Sequence, residues 1–162
     1  MSVDGTDFLI LKRRPHSGEK KYYSHKLRHA ALGYEVAVCI QTGHLVWING
    51  PFPAGSFPDI KIFRRNLKGQ LLPGEMVEAD KGYRGDEPVR HSNVVVSRSD
   101  ARAKQRVMTR HETMSSDLKR FGCLKQQWRH SLNKHSAALA SCALLTQLMY
   151  ELEGGPKFHC KY

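Results

Sequence analysis

Apolar and β-branched residues come in short runs through the first hundred positions of the chain, each bounded by Gly, Pro or polar residues. Runs of this length and composition are typical of β-strands. Five of them predict strands, at residues 3–12, 34–40, 44–49, 75–80 and 93–97. Thr42 and Gly43 offer a tight reversal between the second and third runs, so the first three strands are predicted to form a meander.

Helical periodicity dominates the last third of the chain and occurs once before it. Asp59 occupies the position expected of an N-cap ahead of a short helix at 60–67. Residues 102–129 contain no proline and many good helix formers, and their apolar residues recur at helical spacing. A final helix at about 132–152 is apolar nearly all round and ends before two glycines and a proline. The pattern predicts an α/β fold in which helices cover a mixed sheet.

The composition fits one compact domain with a basic surface. The 162 residues are 40% hydrophobic, and no Pro/Gly/Ser-rich linker divides them, so a single domain over residues 1–162 is predicted. The net charge of +11, from 26 Lys and Arg against 15 Asp and Glu, favours a polyanionic partner such as DNA or RNA, or an anionic membrane surface. Charge alone does not choose between these partners.

Neither cysteine spacing nor hydropathy indicates an exported or membrane-bound protein. The four cysteines form no Cys-x-x-Cys pair, so neither a zinc knuckle nor a disulfide framework is indicated, and a reducing compartment is expected. The first apolar run contains Asp4 and Asp7 and is unlike a signal peptide. The most apolar stretch, 137–152, is short for a bilayer span and is interrupted by polar residues. We expect no membrane partner.

Three acidic residues lie at structural boundaries where a divalent metal site can be assembled. Asp4 opens the first predicted strand, and Asp80 closes the fourth, ahead of a turn-like Lys-Gly-Tyr sequence. Glu112 lies in the predicted helix 102–129, where helical spacing places it on the edge of the apolar stripe. Carboxylates from two strands and one helix form a hard-oxygen site suited to Mg²⁺ or Mn²⁺. The three acids therefore predict a metal-dependent nuclease.

Each of these acids also has a plainer interpretation. Acidic residues at strand ends and on helix surfaces are often only solvated, and Asp7, Glu75 and Glu78 compete as alternative ligands. The pair His111 and Glu112 resembles part of a zinc-protease motif. That motif requires a second histidine four residues after the first, where this chain has serine, so we reject the zinc-protease interpretation.

Four short motifs follow one another along the chain. They are Val-Asp-Gly-Thr at 3–6, Pro-Ala-Gly-Ser-Phe-Pro-Asp at 53–59, Ala-Asp-Lys-Gly-Tyr at 79–83 and Arg-His-Glu at 110–112. In this order they resemble the transposase nuclease domain of Harbinger-type elements, a family of the DDE superfamily, and the similarity extends from residue 2 to about residue 155. The resemblance implies a ribonuclease H-like fold, a five-stranded mixed sheet flanked by helices. It also implies a divalent-metal-dependent DNA endonuclease or strand transferase that acts in the nucleus.

Carried over position by position, the resemblance makes Asp4, Asp80 and Glu112 the catalytic, metal-binding acids. Asp59 matches a further aspartate of the family and is a secondary metal ligand, because the histidine that usually precedes it is Pro58 in this chain. Members of the family carry an upstream helical region for DNA binding. Since the chain begins almost at Asp4, that region is expected to be absent, and a separate DNA-reading protein or a second copy is left open as a partner.

The chemistry of phosphodiester cleavage explains why several acids are needed. Charge must be stabilised on both the attacking and the leaving oxygen, which two metal ions about 4 Å apart provide. Asp4 is predicted to bridge the two ions, Asp80 to complete one site and Glu112 the other. Nearby basic side chains are predicted to contact phosphates without reading sequence. They are Arg64, Arg65, Arg84, Arg110, Lys119 and Arg120.

Two other functions remain open on the same fold. A host-recruited or relic domain without activity would keep the basic surface and bind DNA, or act as a scaffold through the apolar last helix. An RNA-cleaving relative would prefer RNA or hybrid substrates. An enzyme requires the three acids to converge, whereas a binding domain tolerates their dispersal.

Overall fold

The computed structural model describes residues 1–11, 19–86, 89–91 and 109–155. The strands in these residues are β1 (Ser2–Leu9), β2 (Tyr23–Ser24), β3 (His29–Val38), β4 (Leu45–Pro53), β5 (Val77–Ala79) and β6 (Val89–His91). The α-helices are α1 (Asp59–Arg65), α2 (residues 109–118), α3 (Gly122–Lys125) and α4 (His135–Glu153). Short 3₁₀ turns lie at Glu19–Tyr22, Leu67–Gln70, Lys81–Tyr83 and Leu132–Lys134.

The strands form one mixed sheet in the order β4-β3-β1-β5-β6, and the two-residue β2 pairs with the start of β3. β3 is antiparallel to β1 and β4, whereas β5 is parallel to β1 and β6 is parallel to β5. Helices cover both faces of the sheet, which confirms the predicted ribonuclease H-like fold class. Because β3 has neighbours on both edges and both faces, every residue from 31 to 38 is buried.

β1 separates two hydrophobic clusters, because its side chains alternate between the faces of the sheet. Phe8 belongs to a cluster that includes Met114 of α2 and Leu139 of α4. Val3 belongs to the other cluster, which includes Phe63 of α1. Neighbouring residues of β1 therefore face different helical layers, and both layers hold this strand in place.

The single helix predicted at 102–129 is wrong over its C-terminal part. α2 ends at residue 118, α3 is a separate short helix, and Trp128 is extended along the end of β1. The Leu11 N–H donates to the Trp128 carbonyl at 2.7 Å, and the Trp128 N–H donates to the Leu9 carbonyl at 2.9 Å. These strand-like bonds satisfy the backbone of Trp128 while its ring is buried, so they replace the helical bonds there.

The other predicted elements differ from the structure at their ends. The strand predicted at 93–97 lies, like residues 102–108, outside the described residues, while β6 lies at Val89–His91. Asp59 is the first residue of α1 rather than its N-cap, because Pro58 occupies the cap position. The Asp59 side chain makes no capping hydrogen bond, since its carboxylate lies against the sheet.

α4 corresponds to the predicted last helix and is covered on one side only. Its end is set by Gly154, whose φ of 77° is the left-handed conformation that closes many helices. Cys142 and Ala143 are buried against the sheet and its neighbours, whereas several large apolar side chains on α4 are exposed. They are Leu144, Leu145, Leu148, Met149 and Leu152. Within the described residues, no helix combines the length and the hydropathy that crossing a bilayer requires.

Candidate active site

Two of the predicted acids lie near each other, Asp4 on β1 and Asp80 directly after β5. β5 pairs with β1 in parallel, with Glu78 opposite Ser2. Because parallel strands advance together, this register brings Asp80, which directly follows β5, towards Asp4. The charge of Asp80 accordingly contributes, after burial, to raising the pKa of Asp4. The structure thus brings these two carboxylates near each other where β5 ends, next to β1.

Asp59 lies near Asp80 as well, on the face of the sheet that α1 covers. A Cβ atom built on Gly82 would lie 3.0 Å from the Asp80 Oδ1 and 3.3 Å from the Asp59 Oδ2, so these carboxylates are near neighbours. A Cβ atom built on Gly5 would lie 2.7 Å from the Asp59 Cγ, too close for any side chain. Asp59, a secondary ligand in the sequence-based prediction, therefore forms an acidic cluster with Asp4 and Asp80.

Local backbone hydrogen bonds orient two members of the acidic cluster. The Asp80 Oδ1 accepts a hydrogen bond from the Gly82 N–H at 2.7 Å, which caps the 3₁₀ turn Lys81–Tyr83. The Asp4 Oδ1 accepts a hydrogen bond from the Gly5 N–H at 2.8 Å. Both bonds restrict rotation of the carboxylates, so the cluster is largely pre-oriented by its own backbone.

The charges of the acidic cluster repel one another. Burial, followed by the charges of Asp4 and Asp80, raises the pKa of Asp59 to about 6. Burial also raises the pKa of Asp4. The hydrogen bond from Gly5 lowers this pKa, but its effect is smaller than that of burial. A cation among these carboxylates relieves the repulsion, and their oxygen atoms are the donors that Mg²⁺ and Mn²⁺ prefer. In donor chemistry the acidic cluster suits a divalent metal ion, although its three side chains, as the described residues place them, are not grouped closely enough to hold one.

Glu112 lies apart from this arrangement. It is exposed on α2, which is tied to β1 by His111, with 2.7 Å between the His111 Nε2 and the Ser2 Oγ. In the part of the chain that the structure describes, no three His, Cys, Asp or Glu side chains are grouped closely enough to hold a metal ion. The structure therefore groups Asp4 with Asp80, and the role of Glu112 stays a prediction.

A buried acid beside the acidic cluster was not identified from the sequence. Glu35 of β3 lies opposite Gly5 in the sheet and is fully buried. Its Oε2 accepts a hydrogen bond from the Trp47 Nε1 at 3.0 Å, and burial raises its pKa to about 7. A single charged residue within the apolar run 34–40 was the signal that could have revealed it. Glu35 thus joins β3 to β4 through a buried hydrogen bond beside the acidic cluster.

The predicted phosphate-binding side chains lie in different environments. Arg64 is already bonded to an acidic side chain, since its Nε donates to the Asp86 Oδ2 at 2.6 Å. Arg65, Arg84 and Arg120 are exposed, whereas Arg110 and Lys119 are partly buried. The Lys119 ammonium lies 5.5 Å from the centroid of the Phe8 ring, on the strand that carries Asp4. Of the six, Lys119 has the clearest structural link to the site.

We predict that Gly5 does not tolerate a side chain. In Gly5→Ala the new methyl group overlaps the Asp59 carboxylate, which must rotate away. We expect the free energy of unfolding to fall by about 1–3 kcal/mol, as for other overpacked sites, and Mn²⁺ binding to weaken. Urea unfolding and isothermal titration calorimetry measure the two effects. A methyl group on Gly69 meets no atom within 4 Å, so Gly69→Ala is the control, and equal behaviour of both variants would contradict the prediction.

A ribonuclease H-like sheet with carboxylates at the ends of adjacent strands is typical of nucleases that use divalent metal ions. The profile of the DDE superfamily endonuclease family matches residues 3–147, and the chain belongs to this family. Membership implies a metal-dependent hydrolase of the nuclease or transposase type, with DNA as its substrate. No curated protein and no solved structure gives a match.

Proposed function

We propose that the chain is the nuclease domain of a Harbinger-type transposase, which cleaves and rejoins DNA strands by a two-metal mechanism. The observation that carries the proposal is the approach of Asp4, Asp59 and Asp80 to one another from three separate elements. Three of the four motifs that resemble this family each supply one of these acids. The fourth motif supplies Glu112.

The chain's own residues bind and orient the reacting groups. Bound Mg²⁺ or Mn²⁺ supplies charge stabilisation and an activated water. Asp4 and Asp80 hold the metal from adjacent strands, and the attacking oxygen comes from water or a DNA 3′-hydroxyl rather than from a side chain.

Glu112 is the third acid of the proposal. At one end of α2, His111 contacts Ser2, and just past the other end Lys119 lies over Phe8. α2 therefore runs along β1 past Asp4, which lies between Ser2 and Phe8. Positions 112, 115 and 119 fall on one line of the helical surface, so the line of Glu112 passes beside the acidic cluster.

Nicking of supercoiled plasmid tests the proposal. The wild-type chain with Mn²⁺ is expected to convert supercoiled circles to nicked circles, and EDTA to stop the conversion. Glu112→Gln is expected to lose more activity than Asp59→Asn if Glu112 is the third catalytic acid. The opposite order would transfer that role to Asp59. Glu151→Gln, an exposed acid on α4, is the control and should nick at the wild-type rate.

A catalytically inactive DNA-binding or scaffolding domain is the second candidate. Two observations favour it: Glu112 lies outside the acidic cluster, and α4 exposes five large apolar side chains that suit a protein partner. This candidate predicts no nicking by the wild-type chain in Mn²⁺, while salt-dependent DNA binding survives Asp4→Asn. Assays with RNA and RNA–DNA hybrids in parallel would detect the RNA-cleaving alternative.

The site of action proposed for the chain is the nucleus, with a separate DNA-reading protein as its partner. The net charge of +11 supports binding to a polyanion such as chromosomal DNA. Harbinger-type elements reside in eukaryotic genomes, which gives the location. Microscopy of a fluorescently tagged chain tests this, and exclusion from the nucleus in the presence of co-expressed candidate partners would contradict it.

A further inference from the structure

Two cysteines on different helices lie in contact. The Sγ of Cys123 in α3 lies 3.7 Å from the Sγ of Cys142 in α4, and the two thiols share a hydrogen bond. Neither cysteine is bridged. The sulfur atoms of a disulfide are about 2.0 Å apart, so a small movement of one side chain is enough to join this pair.

Cys142 is the fixed member of the pair. It is buried within α4, in the hydrophobic cluster that includes Phe8 and Leu139. Its carbonyl accepts a hydrogen bond from the Thr146 Oγ1 at 2.9 Å. Burial, followed by the neighbouring Cys123, raises the pKa of the Cys142 thiol. Cys142 is therefore a protonated thiol with little access to solvent.

Cys123 is the accessible member of the pair. It is exposed on the four-residue helix α3 and lines a surface pocket of about 470 Å³ together with Gln126 and Arg129. A Cβ atom built on the preceding Gly122 would meet no atom within 4 Å, so this part of α3 is loosely surrounded. Cys123 thus has room to turn towards Cys142, and a small dissolved oxidant can reach it.

We propose that Cys123 and Cys142 are a redox site, which a hydroperoxide converts to a disulfide. The Cys123 thiolate attacks a peroxide oxygen, so that an S–O bond forms, the O–O bond breaks, and the departing oxygen takes up a proton. The Cys142 sulfur then bonds to the Cys123 sulfur as the S–O bond breaks, and the Cys142 proton leaves with the hydroxide as water. Two electrons pass from the two sulfur atoms to the peroxide, and the chain loses two hydrogen atoms.

The disulfide closes a loop that contains Trp128. In the structure Trp128 is held by backbone hydrogen bonds to Leu9 and Leu11 at the end of β1. Joining α3 to α4 limits how far Trp128 can move from β1, and it removes conformational freedom from the unfolded chain. Disulfides inside cells are usually transient and redox-sensing, which agrees with the reducing compartment expected from the sequence.

Peptide mapping without reductant tests the redox site. The reduced chain is treated with hydrogen peroxide, its remaining thiols are blocked with iodoacetamide, and the protein is digested with trypsin. We expect residues 121–125 to be joined to residues 135–157, and dithiothreitol to separate the two peptides. Cys123→Ser should abolish the linked peptides. The control Cys39→Ser changes the remaining described cysteine and should leave them unaffected.

Thermal unfolding gives the second measurement. Peroxide is expected to raise the Tm of the wild-type chain by about 5 °C or more, because the closed loop restricts the unfolded state, and dithiothreitol to reverse the rise. Cys123→Ser should show no such rise, whereas Cys39→Ser should behave like wild type. Circular dichroism of the reduced variants shows whether each is folded, and Cys142→Ala repeats the comparison from the other side of the pair.

Three results would overturn the redox site. The first is oxidation of Cys123 to a sulfinic acid without linked peptides. The second is linkage of Cys123 to a second chain, to Cys39, or to Cys160, which lies outside the described residues, in place of Cys142. The third is a peroxide-induced rise in Tm that persists in Cys123→Ser. None of these measurements depends on DNA cleavage, so the redox site and the proposed function are tested separately.

Discussion

Asp4→Asn will bind DNA as tightly as the wild-type chain and will lose Mn²⁺-dependent nicking by more than about 100-fold. Even the loss of a residue that only orients a metal ligand costs about 10- to 100-fold in metal affinity or activity, and Asp4 is proposed to be the ligand itself. Asparagine keeps the shape of the side chain and can still accept the hydrogen bond from the Gly5 N–H. The loss of nicking in this variant therefore results from the missing carboxylate charge rather than from a change in the fold.

The measurement is the initial rate of plasmid nicking in Mn²⁺, with anisotropy of labelled DNA as the binding assay and circular dichroism as the check on folding. Glu151→Gln removes an exposed acid from α4 and should retain the wild-type rate. Nicking by Asp4→Asn at more than a tenth of the wild-type rate would remove Asp4 from the catalytic set. Equal nicking in EDTA would identify a contaminating nuclease.

Asp59→Asn will be more stable than the wild-type chain at pH 7 in the absence of metal. Asp59 has a pKa of about 6 in the folded protein against an ordinary value of 3.8, so its ionised form is disfavoured by folding. Stability linked to Asp59 is fully present below about pH 4 and is lost as the pH rises through about 6. A neutral amide avoids this loss, and we expect a gain of about 1–3 kcal/mol in the free energy of unfolding at pH 7.

Urea unfolding at pH 7 and at pH 4, with and without Mn²⁺, checks this expectation. The advantage of Asp59→Asn should shrink towards zero at pH 4, where the wild-type carboxyl is protonated in the folded state and close to half protonated in the unfolded state. Mn²⁺ should stabilise the wild-type chain more than the variant, because binding to the folded state alone raises stability. A variant less stable than wild type at pH 7 in EDTA would show that Asp59 makes a favourable contact instead.

The sheet was largely predictable because its signal is local. A short run of apolar and β-branched residues marked β1, and an apolar run marked β3, which in the structure starts earlier, at His29. Residues such as His29 are not strand formers by themselves and are recruited by pairing with β1 and β2. The break after α2 was missed for a similar reason, since the pairing of Trp128 with the end of β1 is a long-range contact.

The acidic site was predictable only as far as strand ends and motifs define it. Asp4 lies near the start of β1 and Asp80 directly follows β5, and the parallel pairing of these strands at Ser2 and Glu78 brings the two acids near each other. Asp59 was ranked lower because of Pro58, yet its carboxylate packs against Gly5, a contact between residues far apart in the sequence. The position of Glu112 on α2 followed from helical spacing, but its distance from Asp4 depends on how α2 docks on the sheet, which no local pattern encodes.

The ladder between β1 and β3 has a consequence for the amide protons of the site. The Ile10 N–H donates to the Ala30 carbonyl at 3.0 Å, and β1 pairs with β3 in unbroken register from Ser2 to Leu9. Hydrogen-bonded pairs alternate in such a ladder, so even-numbered amides of β1 point towards β3 and odd-numbered ones point away from it, as does that of Gly5, which donates to the Asp4 Oδ1 instead of to a strand. Deuterium uptake should therefore be slow and fast at alternate positions of one strand, and bound DNA should slow only the second set.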